Sequence, residues 1–207
     1  MKIYLILLYF FLLATSLKAQ KTDLELSSDM SFHDNEVLSD LMAFQGIEYY
    51  DLVFKGEALP DKKFIFTAKE IWGGQLKNID TIIDSSLFPV KNLQTINEKN
   101  FDVEVIARQM KEAQKLKIMF DLGQLKITRY YDTTNSNRYS LRDLVSESGL
   151  SITYKAPFVF MAYIMPYQRE DGGYSYCDVG SAGKDIDNWG DKFGIEHYII
   201  FEADFVD

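Results

Sequence analysis

The stretch KKFIFTAKEIWGGQLKNIDTIID, residues 62–84, contains the pattern from which the fold can be predicted. Its first half alternates apolar and polar residues, which is typical of a β-strand with one buried face. The apolar positions are Phe64, Phe66, Ala68 and Trp72. Gly73-Gly74 follows directly, and paired glycines between two alternating runs indicate a tight hairpin. The second half places Ile79, Thr81 and Ile83 on one face, so the stretch predicts two antiparallel strands.

Further runs with strand character extend along the chain, at residues 101–109, 116–122, 125–131, 149–154 and 197–205. In the last run, Ile199, Phe201, Ala203 and Phe205 share one face with His197. That histidine is therefore expected in the core or at its rim. Glu202 and Asp204 fall on the other face, as charges do when one side of a sheet meets water.

The run PFVFMAYIMP, residues 157–166, is apolar without alternation. A short continuous apolar run predicts a central strand that is covered on both faces. The alternative is a strand whose second face docks a partner or a second subunit.

Two segments predict short helices. Asn35 to Phe44 carries apolar residues at helical spacing, with Asp34 as the expected N-cap. Ser140 to Asp143 approximates a capping box before Leu144 and Val145. Together the patterns predict a mainly β fold, a two-layer antiparallel β-sandwich of immunoglobulin-like or jelly-roll-like type with one or two short helices.

The N-terminal residues MKIYLILLYFFLLATSLKAQ predict an export signal. Lys2 precedes an uninterrupted apolar run, and Ala19 offers a small residue for cleavage. The run is shorter than the roughly 20 residues that span a bilayer, which argues against an N-terminal membrane anchor. The predicted divisions are a signal peptide at 1–19, a loosely ordered segment at 20–35 and a single sandwich domain at 36–207. The protein is expected in the periplasm or outside the cell, without stable membrane insertion after cleavage.

Net charge and cysteine content limit which partners and which disulfide bonds the protein can have. The chain has a net charge of −9, and an acidic surface repels nucleic acid and anionic lipid. Cys177 is the only cysteine, so the chain cannot form an internal disulfide. It is either a buried small hydrophobic residue or a thiol that pairs with another chain.

The strand-turn-strand at residues 62–84 and the block YCDVGSAGKDIDNWGDKFGIEHYIIFEADF, residues 176–205, resemble a family of exported proteins of similar length, found mainly in Bacteroidetes. The resemblance rests on the overall pattern of these segments and covers most of the chain after residue 19. It implies a secreted or periplasmic β domain. It implies no chemistry, because the family has no assigned activity.

No motif for a metalloprotease, a nucleophile elbow or a phosphate-binding loop occurs in the sequence. The C-terminal Glu202, Asp204 and Asp207 resemble the acidic strand of some jelly-roll glycoside hydrolases. Paired carboxylates can act as acid and base in such enzymes. A solvated outer sheet face explains the same acids more simply.

The stretch DIDNWGDKFGIE, residues 185–196, approximates a calcium loop. Trp189 and Phe193 occupy positions that need oxygen ligands, and the flanks do not have helical patterns, which argues against a helix-loop-helix site. A weak Ca²⁺ site at Asp185, Asp187 and Asp191 stays open, because acidic turns can supply oxygen ligands. The alternative interpretation is that these acids only stabilise a turn. Trp189 and Phe193 would then be buried as a plug under the sheet.

The leading hypothesis is an exported, non-enzymatic β-sandwich that binds a protein or glycan partner and needs no cofactor. Aromatic residues make up 14% of the chain, and exposed aromatic rings suit both kinds of partner. The candidate binding residues are Trp189, Tyr174 and Tyr176. The alternative is a small glycan-directed hydrolase that uses paired carboxylates.

Overall fold

The computed structural model describes residues 24–30, 35–145, 152–154, 156–176 and 186–207. The predicted signal peptide at 1–19, Cys177 and Asp185 lie outside these ranges, as does the side chain of Asp187. No helix within the described ranges combines the length and apolar character needed to cross a bilayer.

Two antiparallel sheets pack face to face, which confirms the predicted β-sandwich. Sheet A contains, in spatial order, β1 (Glu25–Asp29), β2 (Ile47–Lys55), β5 (Asn100–Met110), β6 (Lys115–Asp121) and β7 (Lys126–Asp132). Sheet B contains β4 (Gln75–Asp84), β3 (Lys63–Trp72), β12 (His197–Val206), β9 (Phe158–Ile164) and β8 (Ser140–Asp143). A small hairpin joins β10 (Tyr167–Gln168) to β11 (Tyr174–Ser175). Two α-helices lie entirely within the described ranges, α1 (Glu36–Gln45) and α2 (Trp189–Phe193).

The main core lies between the inner faces of the two sheets and is rich in phenylalanine. Phe54 on β2 is its centre, with five aromatic rings at centroid distances of 5.4–6.3 Å. These rings belong to Phe66, Phe101, Phe158, Phe160 and Phe205. As the alternation predicted, the aromatic residues on the inner faces of β3 and β12 pack in the same core.

A second, smaller core covers the outer face of sheet B. Trp189 of α2 lies at its centre, beside Tyr198 and Ile200 of β12. Phe160 of β9 faces the main core, whereas Ala162 of the same strand faces the second one. The prediction that this strand is covered on both faces is confirmed.

Several segments differ from the sequence predictions. Residues 25–29, placed in a loosely ordered segment, form the edge strand β1 because they pair with β2. Ser140 to Asp143 form strand β8, which was not predicted. Leu144 and Val145 directly after it are helical, as predicted, and the Asp143 side chain accepts a hydrogen bond from the backbone N–H of Val145, as a helix cap does. Of the predicted strand at 149–154, residues 149–151 lie outside the described ranges, and Ile152 makes one isolated bridge to Leu24.

Strand β4 departs from strict alternation at a bulge. Phe66 pairs with Ile83 and Thr67 with Thr81, so Ile82 is the extra residue. Both Ile82 and Ile83 are buried, and the register then leaves Ile79 exposed. A bulge inserts one residue and so exchanges the faces that follow it, which is why Ile79 does not share a buried face with Ile83.

Helix α1 begins one residue later than predicted, with Asn35 as its N-cap. The Asn35 side chain accepts a hydrogen bond from the backbone N–H of Leu38. Gly46 ends the helix in the left-handed conformation that glycine tolerates. None of the ten helix residues is buried, so the apolar positions of the predicted helix face solvent.

Candidate functional site

The inner faces of both sheets turn polar at one end of the sandwich. On β3 the core side reads Phe64, Phe66 and Ala68, and then continues with Glu70 and Trp72. His197 lies directly opposite Trp72 on β12. On sheet A, Thr133 directly follows β7 and Gln114 directly precedes β6, and the backbone N–H of Thr133 donates to the carbonyl of Gln114 at 2.9 Å. The sheets therefore meet at this end through polar side chains.

A cleft of about 500 Å³ lies between these ends, and we call it the end cleft. Its lining residues are Glu70, Trp72, Lys77, Gln114, Asp132 and Thr133. The first three come from the β3–β4 hairpin of sheet B, and the others from sheet A. Two carboxylates, an ammonium, an amide, a hydroxyl and an indole ring can donate and accept hydrogen bonds in several directions.

A chain of polar contacts leads from the cleft into the protein. The Trp72 indole N–H donates to Glu70 at 2.6 Å. The Trp72 ring stacks on the His197 imidazole at a centroid distance of 4.0 Å. His197 Nδ1 lies 2.6 Å from the hydroxyl of Tyr139. These contacts hold Trp72 and Glu70 in fixed orientations at the cleft wall.

Two buried polar atoms at this end have no hydrogen-bond partner among the described residues. One is the hydroxyl oxygen of Thr133, which belongs to a cleft-lining residue that is 3% exposed. The other is Nε2 of His197, which lies 3.9 Å from the Glu70 carboxylate, beyond hydrogen-bonding distance. An unsatisfied buried polar group costs about 1–3 kcal/mol, so its presence in a folded protein requires an explanation. Both atoms are closed off from solvent, so a ligand or water in the cleft would bond the Thr133 hydroxyl after the side chain rotates toward it.

Burial lowers the pKa of His197 to about 4, because a charged imidazole loses its hydration there. Between pH 6.5 and 4 the unfolded chain binds a proton that the folded chain does not. The free energy of unfolding therefore falls as the pH drops through this window.

We expect this histidine to make the folded state acid-sensitive. Lowering the pH from 7 to 5 should remove about 2 kcal/mol of stability through His197 alone. The variant His197→Phe keeps a ring against Trp72 and should lose this contribution. Urea unfolding of the wild type and of His197→Phe at pH 7 and pH 5 measures this contribution. All other groups titrate alike in the two proteins, so the difference in their pH dependence belongs to His197. Equal pH dependence in the two proteins would contradict the prediction.

The two cleft carboxylates come from different sheets. Glu70 is mostly buried, and Asp132 is exposed and forms an ion pair of 2.6 Å with Lys115. Glycosidases also use a pair of carboxylates in one cleft. By contrast, Glu202 lies on the outer face of sheet B in a 2.6 Å ion pair with Lys69, as expected for a structural charge.

A side-chain link closes the sandwich next to the cleft. Asp80 on β4 accepts hydrogen bonds from Tyr131 at 2.8 Å and from Arg129 at 3.2 Å, both on β7. Arg129 also donates to the backbone carbonyl of Ile82 at 2.8 Å. This link connects the edges of sheets A and B, and so fixes the separation of the two cleft walls.

The residues predicted to bind a ligand lie elsewhere. Trp189 is fully buried in the second core, as the plug interpretation predicted, so its ring is not offered to a ligand at the surface. Tyr174 is 52% exposed, and the Arg138 guanidinium lies 3.8 Å from its ring centroid. The Tyr176 hydroxyl donates to the backbone carbonyl of Arg138. Tyr174 and Tyr176 thus share one arginine at the surface, apart from the residues that line the end cleft.

The calcium hypothesis stays a prediction, since Asp185 and the side chain of Asp187 are not described. Asp191 lies against the β3–β4 turn: a β-carbon built on Gly74 would be 2.7 Å from its carboxylate. Elsewhere in the described ranges, no three His, Cys, Asp or Glu side chains are grouped to hold a metal.

The sequence contained only part of the signal for the end cleft. Alternation placed Trp72 and His197 on the inner faces of their strands. It did not show that the apolar core ends before these two residues, where polar side chains take its place. Gln114 and Thr133 sit beyond strand ends in unremarkable polar segments. Only the packing of one sheet on the other brings them to Trp72.

Comparison with known proteins found no matching family model, no matching curated protein and no matching solved structure. The resemblance to exported Bacteroidetes proteins therefore stays an expectation.

Proposed function

We propose that the protein is an exported, non-enzymatic binding module and that its ligand is a glycan held in the end cleft. The observation that carries the proposal is the buried, unpartnered hydroxyl of Thr133 behind the cleft wall, which a rotation of the side chain would turn toward a ligand. Sugar hydroxyl groups both donate and accept hydrogen bonds, so they match such an atom. Export is supported by the signal pattern of residues 1–19.

The other lining side chains support the same ligand class. Trp72 offers an apolar aromatic face of the kind on which sugar rings stack, while Glu70, Gln114 and Asp132 offer planar polar groups. A volume of about 500 Å³ lies within the range of small-ligand sites and suits one or two sugar rings. The chain is acidic, and Lys77 is the one basic residue among the described lining residues of the cleft. These charges favour a neutral sugar over a highly anionic one.

Thr133→Val is the sharpest test of this proposal. It keeps the shape of the side chain and removes the unpartnered hydroxyl. We expect the free energy of unfolding to rise by about 1 kcal/mol, because a buried unsatisfied group is lost. We expect glycan affinity to fall about tenfold, since a hydrogen bond to the ligand is lost as well. Chemical denaturation and calorimetric titration of a glycan selected on an array give the two numbers.

A matched pair of aromatic variants locates the site. Trp72→Phe should weaken binding and remove the ligand-induced change in tryptophan fluorescence, because Trp189, the other tryptophan, is buried far from solvent. Tyr174→Ala should leave binding unchanged. The opposite result would move the site to Tyr174 and Tyr176 and refute the cleft. Unchanged affinity in Thr133→Val would refute the role of its hydroxyl.

Glycan hydrolysis is the second candidate, and Glu70 and Asp132 in one cleft are the observation that favours it. An enzyme would release reducing ends from the bound glycan, and Glu70→Gln or Asp132→Asn would stop release while binding persists. A binding module would release none.

A further inference from the structure

Helix α1 displays apolar side chains that the rest of the described chain does not cover. Val37 is 69% exposed, Leu41 55% and Phe44 84%. These residues are spaced i, i+4 and i+7, so they form one stripe along the helix. Apolar stripes with this spacing are the usual anchors of a helix that binds in a groove.

A groove of about 890 Å³ lies beside the C-terminal end of this helix. Phe44 and Gly46 line it from α1, and Ile106 and Met119 form part of its apolar surface on the outer face of sheet A. Arg108 and Lys117 lie directly opposite each other on β5 and β6 and also line the groove. We call this the α1 groove.

Within the described part of the chain, two acidic side chains of the helix and two basic side chains of the groove have no partner of opposite charge. Arg108 and Lys117 are exposed, and two like charges directly opposite each other on a sheet destabilise it. On α1, Glu36 and Asp40 flank the apolar stripe and are exposed too. Among the described residues, none of these four side chains forms an ion pair.

We infer that helix α1 of one molecule docks in the α1 groove of a second copy, forming a symmetric dimer. Val37, Leu41 and Phe44 meet the apolar groove surface, while Glu36 and Asp40 reach Arg108 and Lys117 of the other copy. Both halves of the complementary surface adjoin each other on the same chain, since Phe44 also lines the groove. One twofold axis can therefore pair both halves reciprocally, so that each contact occurs twice. This inference does not depend on the proposed glycan function.

Sedimentation of the purified protein tests the inference. Wild type should show a reversible monomer–dimer equilibrium. Leu41→Asp and, separately, Val37→Asp should raise the dimer dissociation constant at least about tenfold, as expected for central apolar anchors. Their circular dichroism should match wild type, because both positions are exposed. A monomeric wild type, or a dimer that both variants leave intact, overturns the inference.

An experiment that mixes two charge-reversed variants tests whether α1 of a second copy is what binds in the α1 groove. One variant carries Glu36→Lys and Asp40→Lys, and the other carries Arg108→Glu and Lys117→Glu. Each variant alone places like charges across the interface and should be monomeric. Mixed together, they place opposite charges at both contacts and should form a heterodimer at near wild-type affinity. Failure of the mixture to dimerise would show that the groove does not receive α1 of a second copy.

Discussion

Replacing Phe54 by alanine is expected to lower the free energy of unfolding by about 3–5 kcal/mol, the usual range for a buried phenylalanine. Phe54 is fully buried, and its ring lies within 6.3 Å of five other aromatic rings from both sheets. Its removal leaves a cavity between the sheets that the rigid strands cannot close. Several kcal/mol is a large part of the stability of a domain this size.

Urea unfolding measures this effect, with Tyr130→Ala as the matched control. Tyr130 lies on β7 of the same sheet, but its side chain is 56% exposed. Loss of an exposed ring should cost less than about 1 kcal/mol. Similar losses in the two variants would show that the sandwich is not held together at Phe54.

Replacing Gly190 by alanine is expected to destabilise the protein by about 3 kcal/mol, although alanine normally favours a helix over glycine. Gly190 is in α2, and a β-carbon there would lie 2.5 Å from both Cα and N of Gly74. Backbone atoms cannot move aside as a flexible side chain can. The β3–β4 hairpin would have to shift, and it carries Trp72 and Lys77 of the end cleft.

Gly123→Ala is the control for this prediction. Gly123 has a φ of 77° and open space around it, so alanine there meets only the conformational penalty of about 1–2 kcal/mol. We expect Gly190→Ala to alter the Trp72 fluorescence of the folded protein as well, whereas Gly123→Ala should not. A stabilised Gly190→Ala protein would contradict the close packing of α2 on the hairpin.

The strands with clear alternation were predictable because one face of each meets the core and the other meets water. Strand β2 was not singled out, since its outward positions include Tyr49 and Val53 and so blur the period. Strand β1 was missed because its short polar sequence becomes a strand only through pairing with β2. Such edge strands depend on tertiary partners more than on local preference.

The candidate site was less predictable than the fold. Trp72 and His197 were correctly placed on inner faces, but Thr133 and Gln114 join them only through the packing of the sheets. Trp189 illustrates the opposite problem. An aromatic residue in an acidic, glycine-containing loop suggests a surface contact, yet its ring fills the second core. Sequence indicates aromatic content well, but not which rings the fold leaves uncovered.

The position of β12 in sheet B constrains the order in which the chain can fold. This strand pairs with β3 on one side and β9 on the other, and it follows both along the chain. Neither partner can complete its hydrogen bonds until residues 197–206 have been synthesised, and β3 must wait across more than half of the chain. Contacts between such distant segments form slowly. Sheet B therefore lacks its central strand throughout most of translation.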